Sequence, residues 1–395
     1  MRKFRILAGT LLLTSVAACA PVQPSAPTAS AVSIGGYHSC ALMSDSSVRC
    51  WGQNSEGQVG SGSVGPFAIP DATRVVGLNG VREVDAGLQT TCAVTNDLYA
   101  YCWGTDTFGQ LGDGAVGAPS ATGTPQQVPG LSDVRALGVG ERHACAVNNG
   151  GQVLCWGDDQ NGQLGDGTAG SPSIRATPAP VLGVTGAVDV AAGPDHSCAL
   201  IDDGSVQCWG NDTGGVLGDG LVGSPTIRAF AADVAGLSGA QSISAGSDST
   251  CVALTSGGAA CWGADSVGQL GDGSPNNSFQ PNPSSVVGTS GLTTVGAGHY
   301  FNCAVASNGA AVCWGRDFYG ELGDGTVAAP STNPAPVGVA GLSDAKSIDG
   351  GAGHACAVRA TGRVVCWGSD NAGQLGDGQT GTPSDNPSPV VVKGI

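Results

Sequence analysis

Along most of the chain, apolar residues come in bursts of five or six, each cut off by glycine, asparagine or aspartate. One stretch sets the pattern: Val134 to Val139 ending at Gly140, then His143 to Val147, a turn at Asn148 to Gly151, and Val153 to Gly157. The polar loop Gly162-Gln163-Leu164-Gly165-Asp166-Gly167 follows, and a Pro-rich stretch leads to a fourth run around Pro180 to Leu182. Bursts this short, bounded by turn residues, predict strands rather than helices. Past the N-terminal leader, no stretch of 12 or more residues carries helical periodicity.

The unit repeats. Cys-Trp-Gly occurs seven times, with Trp at 51, 103, 156, 209, 262, 314 and 367, so the spacing is always 52 or 53 residues. Four short strands in a unit of this length predict one blade of a β-propeller, and seven blades lie inside the usual range. An open stack would need atypical end units to cover its exposed faces. Here the first and last units resemble the middle ones, which predicts a closed ring. The expected fold is all-β: a seven-bladed propeller with four antiparallel strands per blade over residues 32–395. The chain enters on a first-strand pattern (Val32 to Gly36) and leaves on a fourth-strand pattern (Pro389 to Val392). The pattern leaves open whether that last strand stays in its own blade or completes the first.

The N-terminus reads differently. Arg2, Lys3 and Arg5 precede an apolar run from Ile6 to Leu13, then Val16-Ala17-Ala18-Cys19. A basic start, a short apolar run and small residues make an export signal, and the run is too short to span a bilayer stably. Cys19 after small residues resembles a bacterial lipobox. That resemblance implies a signal peptide over 1–18, cleavage before Cys19 and acylation there, and Ala20 in the next position implies the outer membrane. The alternative is an ordinary signal with an incidental cysteine. Residues 19–31, rich in Pro, Ser and Ala, are expected to form a flexible tether.

The motif Gly-x-x-His-x-Cys-Ala, then Cys-Trp-Gly-x-Asp-x-x-Gly-Gln-Leu-Gly-Asp-Gly, resembles the regulator of chromosome condensation repeat, over residues 32 to 395. Unit 1 departs with Val59-Gly60-Ser61-Gly62, unit 4 with Gly215-Val216, and unit 5 is Asn-rich after Gly273. The resemblance implies a propeller that binds proteins. Within the family it also allows guanine-nucleotide exchange on a small GTPase, inhibition of a secreted enzyme, or UV-B photoreception through extra tryptophans. One Trp per unit argues against the last, and export argues against the first.

Each Trp-bearing Cys has a partner ten residues earlier: Cys40 and Cys50, Cys92 and Cys102, Cys145 and Cys155, Cys198 and Cys208, Cys251 and Cys261, Cys303 and Cys313, Cys356 and Cys366. With Cys19 these account for all 15 cysteines. The members of a pair flank a turn symmetrically, so an antiparallel hairpin sets them opposite each other, within disulfide range. An exported protein meets the oxidising conditions that close such bridges. Zinc, free thiols and bridges between blades are the alternatives. The seven Trp are expected to pack between blades. His38, His143, His196 and His354, each two residues before a Cys, are expected to bond locally and hold the turn between the first two strands.

Two aspartates recur in six units, Asp106 and Asp113 being one pair, and are expected to cap loop backbone. Calcium is the sharper alternative, although the spacing matches neither an EF-hand nor the nonapeptide repeat. No metal and no cofactor is expected.

Composition narrows the function. A net charge of −16 offers no basic face for nucleic acid. The only glutamates, Glu56, Glu83, Glu141 and Glu321, form no pattern, so the paired carboxylates of a polysaccharide-active enzyme are not evident. The expected activity is protein binding without catalysis. The loops after Gly-Asp-Gly vary most. There Arg175 and Arg228, in two copies of Ser-Pro-x-Ile-Arg-Ala, together with Phe67, Phe230 and Phe279, are the candidate partner-binding residues.

Overall fold

In the computed structural model, the described residues are 26–65, 67–117, 120–170, 173–222, 226–274, 279–327, 332–381 and 385–395. They form 28 strands in seven four-stranded antiparallel sheets. The chain is a seven-bladed β-propeller. Each sheet is built from one repeat in chain order, as in β1 (Ala29–Ile34), β2 (His38–Met43), β3 (Val48–Gln53) and β4 (Ala68–Arg74). The last four strands, β25 (Ala345–Gly350), β26 (His354–Arg359), β27 (Val364–Ser369) and β28 (Asp385–Val391), likewise share one sheet. This settles the phase: no strand is exchanged to close the ring.

Two boundaries differ from the sequence expectation. The first strand begins at Ala29, not Val32, so residues 29–31 belong to blade 1 rather than to the tether. Ala29 is buried, and its N–H donates to the Gly362 carbonyl of blade 7 at 2.9 Å. The fourth strand of unit 3 is Ile174–Pro180, ending where it was expected to begin. Its middle residues have no register partner in the third strand. Proline therefore costs no ladder bond there, as befits an edge strand.

Burial falls outward from the second and third strands. β2 and its equivalents are buried almost throughout, whereas the fourth strands are mostly exposed or half-buried, with single buried residues such as Ala72 and Ala179. Seven hydrophobic clusters fill the seven junctions between blades. The one between blades 7 and 1 sets Ile34, Met43 and Trp51 against Val358, Val364, Leu375 and Val392.

The Cys-Trp-Gly signature has a cause at each position. Paired cysteines face each other in register, Cys40 opposite Cys50, and all seven pairs are disulfides with Cα atoms 4.0–4.1 Å apart. Each bridge staples one blade's central hairpin. The Trp side chains are fully buried. The glycine after Trp sits at positive φ, 104° at Gly52, where the ladder slips between the third and fourth strands. A Cβ there would lie 2.6 Å from the Tyr37 carbonyl oxygen, so only glycine fits.

Candidate functional site

The antiparallel order sorts the connections onto two faces. Turns between first and second strands, and loops between third and fourth, share one face, here called the loop face. The remaining connections lie on the other.

Beneath the loop face, most of the repeated residues are consumed by the scaffold. Every Trp Nε1–H donates across a junction to a loop carbonyl of the preceding blade, at 2.7–3.0 Å. The first Asp of the loop motif accepts the N–H five residues on: Asp106 from Leu111 at 3.0 Å, with the same bond at Asp159, Asp212, Asp265, Asp317 and Asp370. Burial raises Asp106, Asp159, Asp212, Asp317 and Asp370 to about 6, with the backbone bond opposing. The second Asp caps its own turn, as Asp113 does for Ala115 N. Among the described residues, no group of three or more histidines, cysteines and acids could hold a metal ion.

The histidines correct the sequence reading. Each bonds the next blade instead of its own turn. Nε2 lies 2.8 Å from Thr91 Oγ1 for His38, 2.8 Å from Ser197 Oγ for His143, 3.1 Å from Thr250 Oγ1 for His196, and 2.9 Å from Ser39 Oγ for His354. Each of those hydroxyls donates onward to the carbonyl that the Trp also uses, Ser39 to Gln374 O at 3.0 Å for example. A hydroxyl has one hydrogen, so His Nε2–H must be the other donor. Burial holds His38, His143 and His354 down at about 3, so at neutral pH these rings are neutral, with their proton on Nε2. Where the histidine is missing, the partner changes with it. Thr90 donates to the Thr105 carbonyl of its own blade, with Ala144 at the partner position of the next unit, Ser249 accepts from Asn302, and Phe301 shares a cluster with Ala355.

The central channel holds Glu83, Asp85, Asp189 and Asp349, which sequence reasoning did not connect. Three of them satisfy the inner strand of the next blade: Glu83 accepts Leu137 N at 2.9 Å, Asp85 accepts Val139 N at 2.6 Å, and Asp349 accepts Ile34 N at 2.8 Å. Desolvation pushes Glu83 and Asp349 up to about 8, and Asp85 upward. These groups cap an otherwise unpaired strand edge.

The candidate partner residues lie on the outer rim, at or near the starts of fourth strands. Arg175 pairs with Asp166 at 2.5 Å, and Arg228 with Asp219 at 2.6 Å, each within its own blade. Phe230 and Phe279 are 56% and 48% exposed on adjacent blades, whereas Phe67, 84% exposed, stands on blade 1. The fold does not gather all five into one patch. Cys19 lies outside the described residues.

Among the described residues, the loop face carries a cleft that does not repeat around the ring. Over blade 7 lies a cleft of about 290 Å³, walled by Tyr300, Arg316 and Tyr319 of blade 6 and by Tyr37 of blade 1. Its floor is Ala352-Gly353 with Ser369. The position of Gly353 carries Tyr37, Gln89, Arg142, Asp195, Asp248 and Tyr300 in the other six units, so the cleft exists because one side chain is missing. The Arg316 guanidinium lies 4.8 Å from the Tyr300 ring centre and 5.7 Å from that of Tyr319. Its Nε donates to Glu321 Oε1 at 2.8 Å and its Nη2 to the Ala352 carbonyl at 2.6 Å. Glu321, fully buried, replaces the glutamine of most other units and also accepts Tyr319 N at 2.7 Å. Burial, with the Arg316 charge adding to it, lowers His299 at the rim to about 4. His299 is therefore neutral at neutral pH, with Glu141 Oε1 3.9 Å from its Nε2, and the Arg316 charge is held against Glu321, whose carboxyl is raised by burial. The signal was present in the sequence as a departure from the repeat, Arg316 with Glu321 and Gly353 between two tyrosines, but only the fold brings three blades together.

Comparison with known proteins agrees with this architecture. Models of the regulator of chromosome condensation (RCC1) repeat match residues 29–58, 81–110, 134–163, 187–215 and 345–374, and a second model of that repeat matches 99–147 and 150–200. The ultraviolet-B receptor UVR8 of Arabidopsis thaliana is 30% identical over 358 residues, covering 88% of this chain and 79% of that protein. Human E3 ubiquitin-protein ligase HERC2 is 29% identical over 84% of this chain, but the match spans only 7% of its length. Among solved structures, yeast Prp20p, described with its binding properties to Gsp1p and histones, superposes with a TM-score of 0.75 at 20% identity, over 87% of this chain and 85% of that one. The repeat, the ring and the relatives place this chain in the regulator of chromosome condensation (RCC1) repeat family.

Proposed function

We propose that this chain is exported, held at the outer membrane through an acylated Cys19, and binds a protein partner on its loop face without catalysis of its own. The observation that carries the reading is the cleft over blade 7, an aromatic-walled site formed where one unit lacks the side chain the others carry. Aromatic anchors in desolvated pockets dominate protein interfaces. Seven disulfides fit an oxidising compartment outside the cytosol. The exposed rings of Phe230 and Phe279, with Arg175 and Arg228 braced by Asp166 and Asp219, supply a second contact zone on the rim, and Phe67 a separate one.

Among the described residues, several of the buried acids are engaged by the scaffold. A glycosidase needs two carboxylates aimed into an open cleft. Glu83, Asp85 and Asp349 are committed to backbone N–H groups, and Glu321 is committed to Arg316 and Tyr319. A charge of −16 disfavours nucleic acid as the partner.

The test is capture. The mature propeller, immobilised and exposed to envelope extract of the producing cells, is expected to retain one protein at fixed stoichiometry and to lose it on Tyr37→Ala with Tyr300→Ala. Retention unaffected by those changes contradicts the reading. Cys19→Ser is expected to move the protein from the membrane to the soluble fraction.

A further inference from the structure

We propose that the cleft over blade 7 is a socket for a single aromatic side chain presented by the partner. The inference rests on the protein-binding reading and names the chemistry of its central contact.

Three observations select the occupant. The first is charge. A cation would meet Arg316, which already lies against both tyrosine rings. An anion would meet a guanidinium whose Nε and Nη2 are both engaged, beside the buried carboxylate of Glu321, on a chain of net charge −16. The fitting occupant is neutral.

The second is hydrogen-bonding capacity. A sugar needs many donors and acceptors around its hydroxyls. Here several polar groups are already committed: Asn371 Nδ2 donates to Ser369 Oγ, Gln374 Oε1 accepts Ala372 N, and the Gln374 carbonyl serves Trp51 and Ser39. Tyrosine rings edged by their hydroxyls over a glycine floor suit a flat ring with a polar tip, as in tyrosine or tryptophan.

The third is shape. At about 290 Å³ the cleft lies at the lower bound for small-molecule pockets, room for one ring rather than an extended ligand. Tyr37 and Tyr319, 45% and 40% exposed, flank a glycine floor on which a ring can lie.

The experiment uses the mature propeller with N-acetyl-tryptophanamide and N-acetyl-tyrosinamide as probes, and methyl glucoside, N-acetylglucosamine and N-acetyl-lysinamide as controls, followed by NMR. The two aromatic amides are expected to bind and to perturb Gly353 and Tyr319, and the controls are not. Gly353→Gln places in blade 7 the side chain that blade 2 carries there. Its Cβ would lie 3.3 Å from Tyr319 Cδ2, so the ring shifts slightly while the backbone accepts the residue. This variant is expected to weaken aromatic binding at least tenfold with an unchanged melting temperature. Tyr300→Ala should do the same. Sugar binding without aromatic binding, lysinamide binding best, no binding at all, or full binding by Gly353→Gln would each overturn the socket. If the amides bind but envelope extract yields no protein, the socket stands and the protein-binding reading falls.

Discussion

Two regions of this propeller break the repeat in opposite ways: the buried junction layer and the loop face over blades 6, 7 and 1. In the junction layer the departures at the histidine position come with a changed residue across the interface. Phe301 stands where four other units have histidine, and the hydroxyl it would have crowded is replaced by Ala355. Thr90 donates within its own blade to the Thr105 carbonyl, and the partner position of the next unit is Ala144. On the loop face, Gly353 between Tyr37 and Tyr300 is left unanswered, and a cleft remains. Compensated variation marks what the ring needs to close, and uncompensated variation marks where a ligand can enter.

The harshest way to break the comparison is to remove what both regions stand on. Each disulfide closes a short loop worth about 3 kcal/mol in the entropic model. Seven together exceed the roughly 5–15 kcal/mol stability of an ordinary domain. Full reduction is expected to unfold the propeller, and mass spectrometry of the mature protein should find all fourteen bridge cysteines oxidised. Native circular dichroism after complete reduction would contradict this.

A subtler break tests compensation itself. Blades 7 and 1 meet through His354 and Ser39, blades 6 and 7 through Phe301 and Ala355. His354→Phe alone is expected to cost about 1–3 kcal/mol by overpacking against Ser39. Adding Ser39→Ala copies the neighbouring junction and should recover most of the loss. Denaturant unfolding of the four members of this cycle measures the coupling, and strict additivity would mean that the two positions do not answer each other.

The smallest effect concerns pH. Burial raises Glu83 and Asp349 to about 8, so the folded state binds those protons more tightly than the unfolded state does. Stability therefore falls as pH rises from the ordinary carboxylate range through about 8. The buried histidines, lowered to about 3 or 4, act oppositely: their contribution is lost as pH falls below 6.5. Above pH 6.5 only the carboxylate limb remains. The melting temperature is expected to drop by a few degrees between pH 6.5 and 8.5, and Glu83→Gln with Asp349→Asn should flatten that slope. An unchanged slope in the double variant would assign it elsewhere.

The sequence made the scaffold legible because its chemistry recurs at a fixed interval. The tryptophan spacing carries blade number, and the cysteines symmetric about a turn carry the hairpin and its bridge. Ring phase was not legible, since a first-strand start and a fourth-strand end suit either closure until β25 to β28 are seen to share one sheet. The histidines were misread because their partners sit one unit away, 53 or 54 residues along for three of them, and across the whole chain for His354. The cleft stayed hidden because three blades line it and its defining feature is an absent side chain. Glu83 fitted no pattern in the sequence because its partner is a backbone N–H of the next blade.

The most direct test of the claim that the unanswered variation is the contact surface is site-specific photocrosslinking in intact cells. A benzoylphenylalanine at position 37 or 319 should yield one discrete protein adduct. The same group at position 160, the blade 3 counterpart of Phe318 on the loop face, should yield none. Equal adducts at all three positions, or an adduct at 160 alone, would contradict the account.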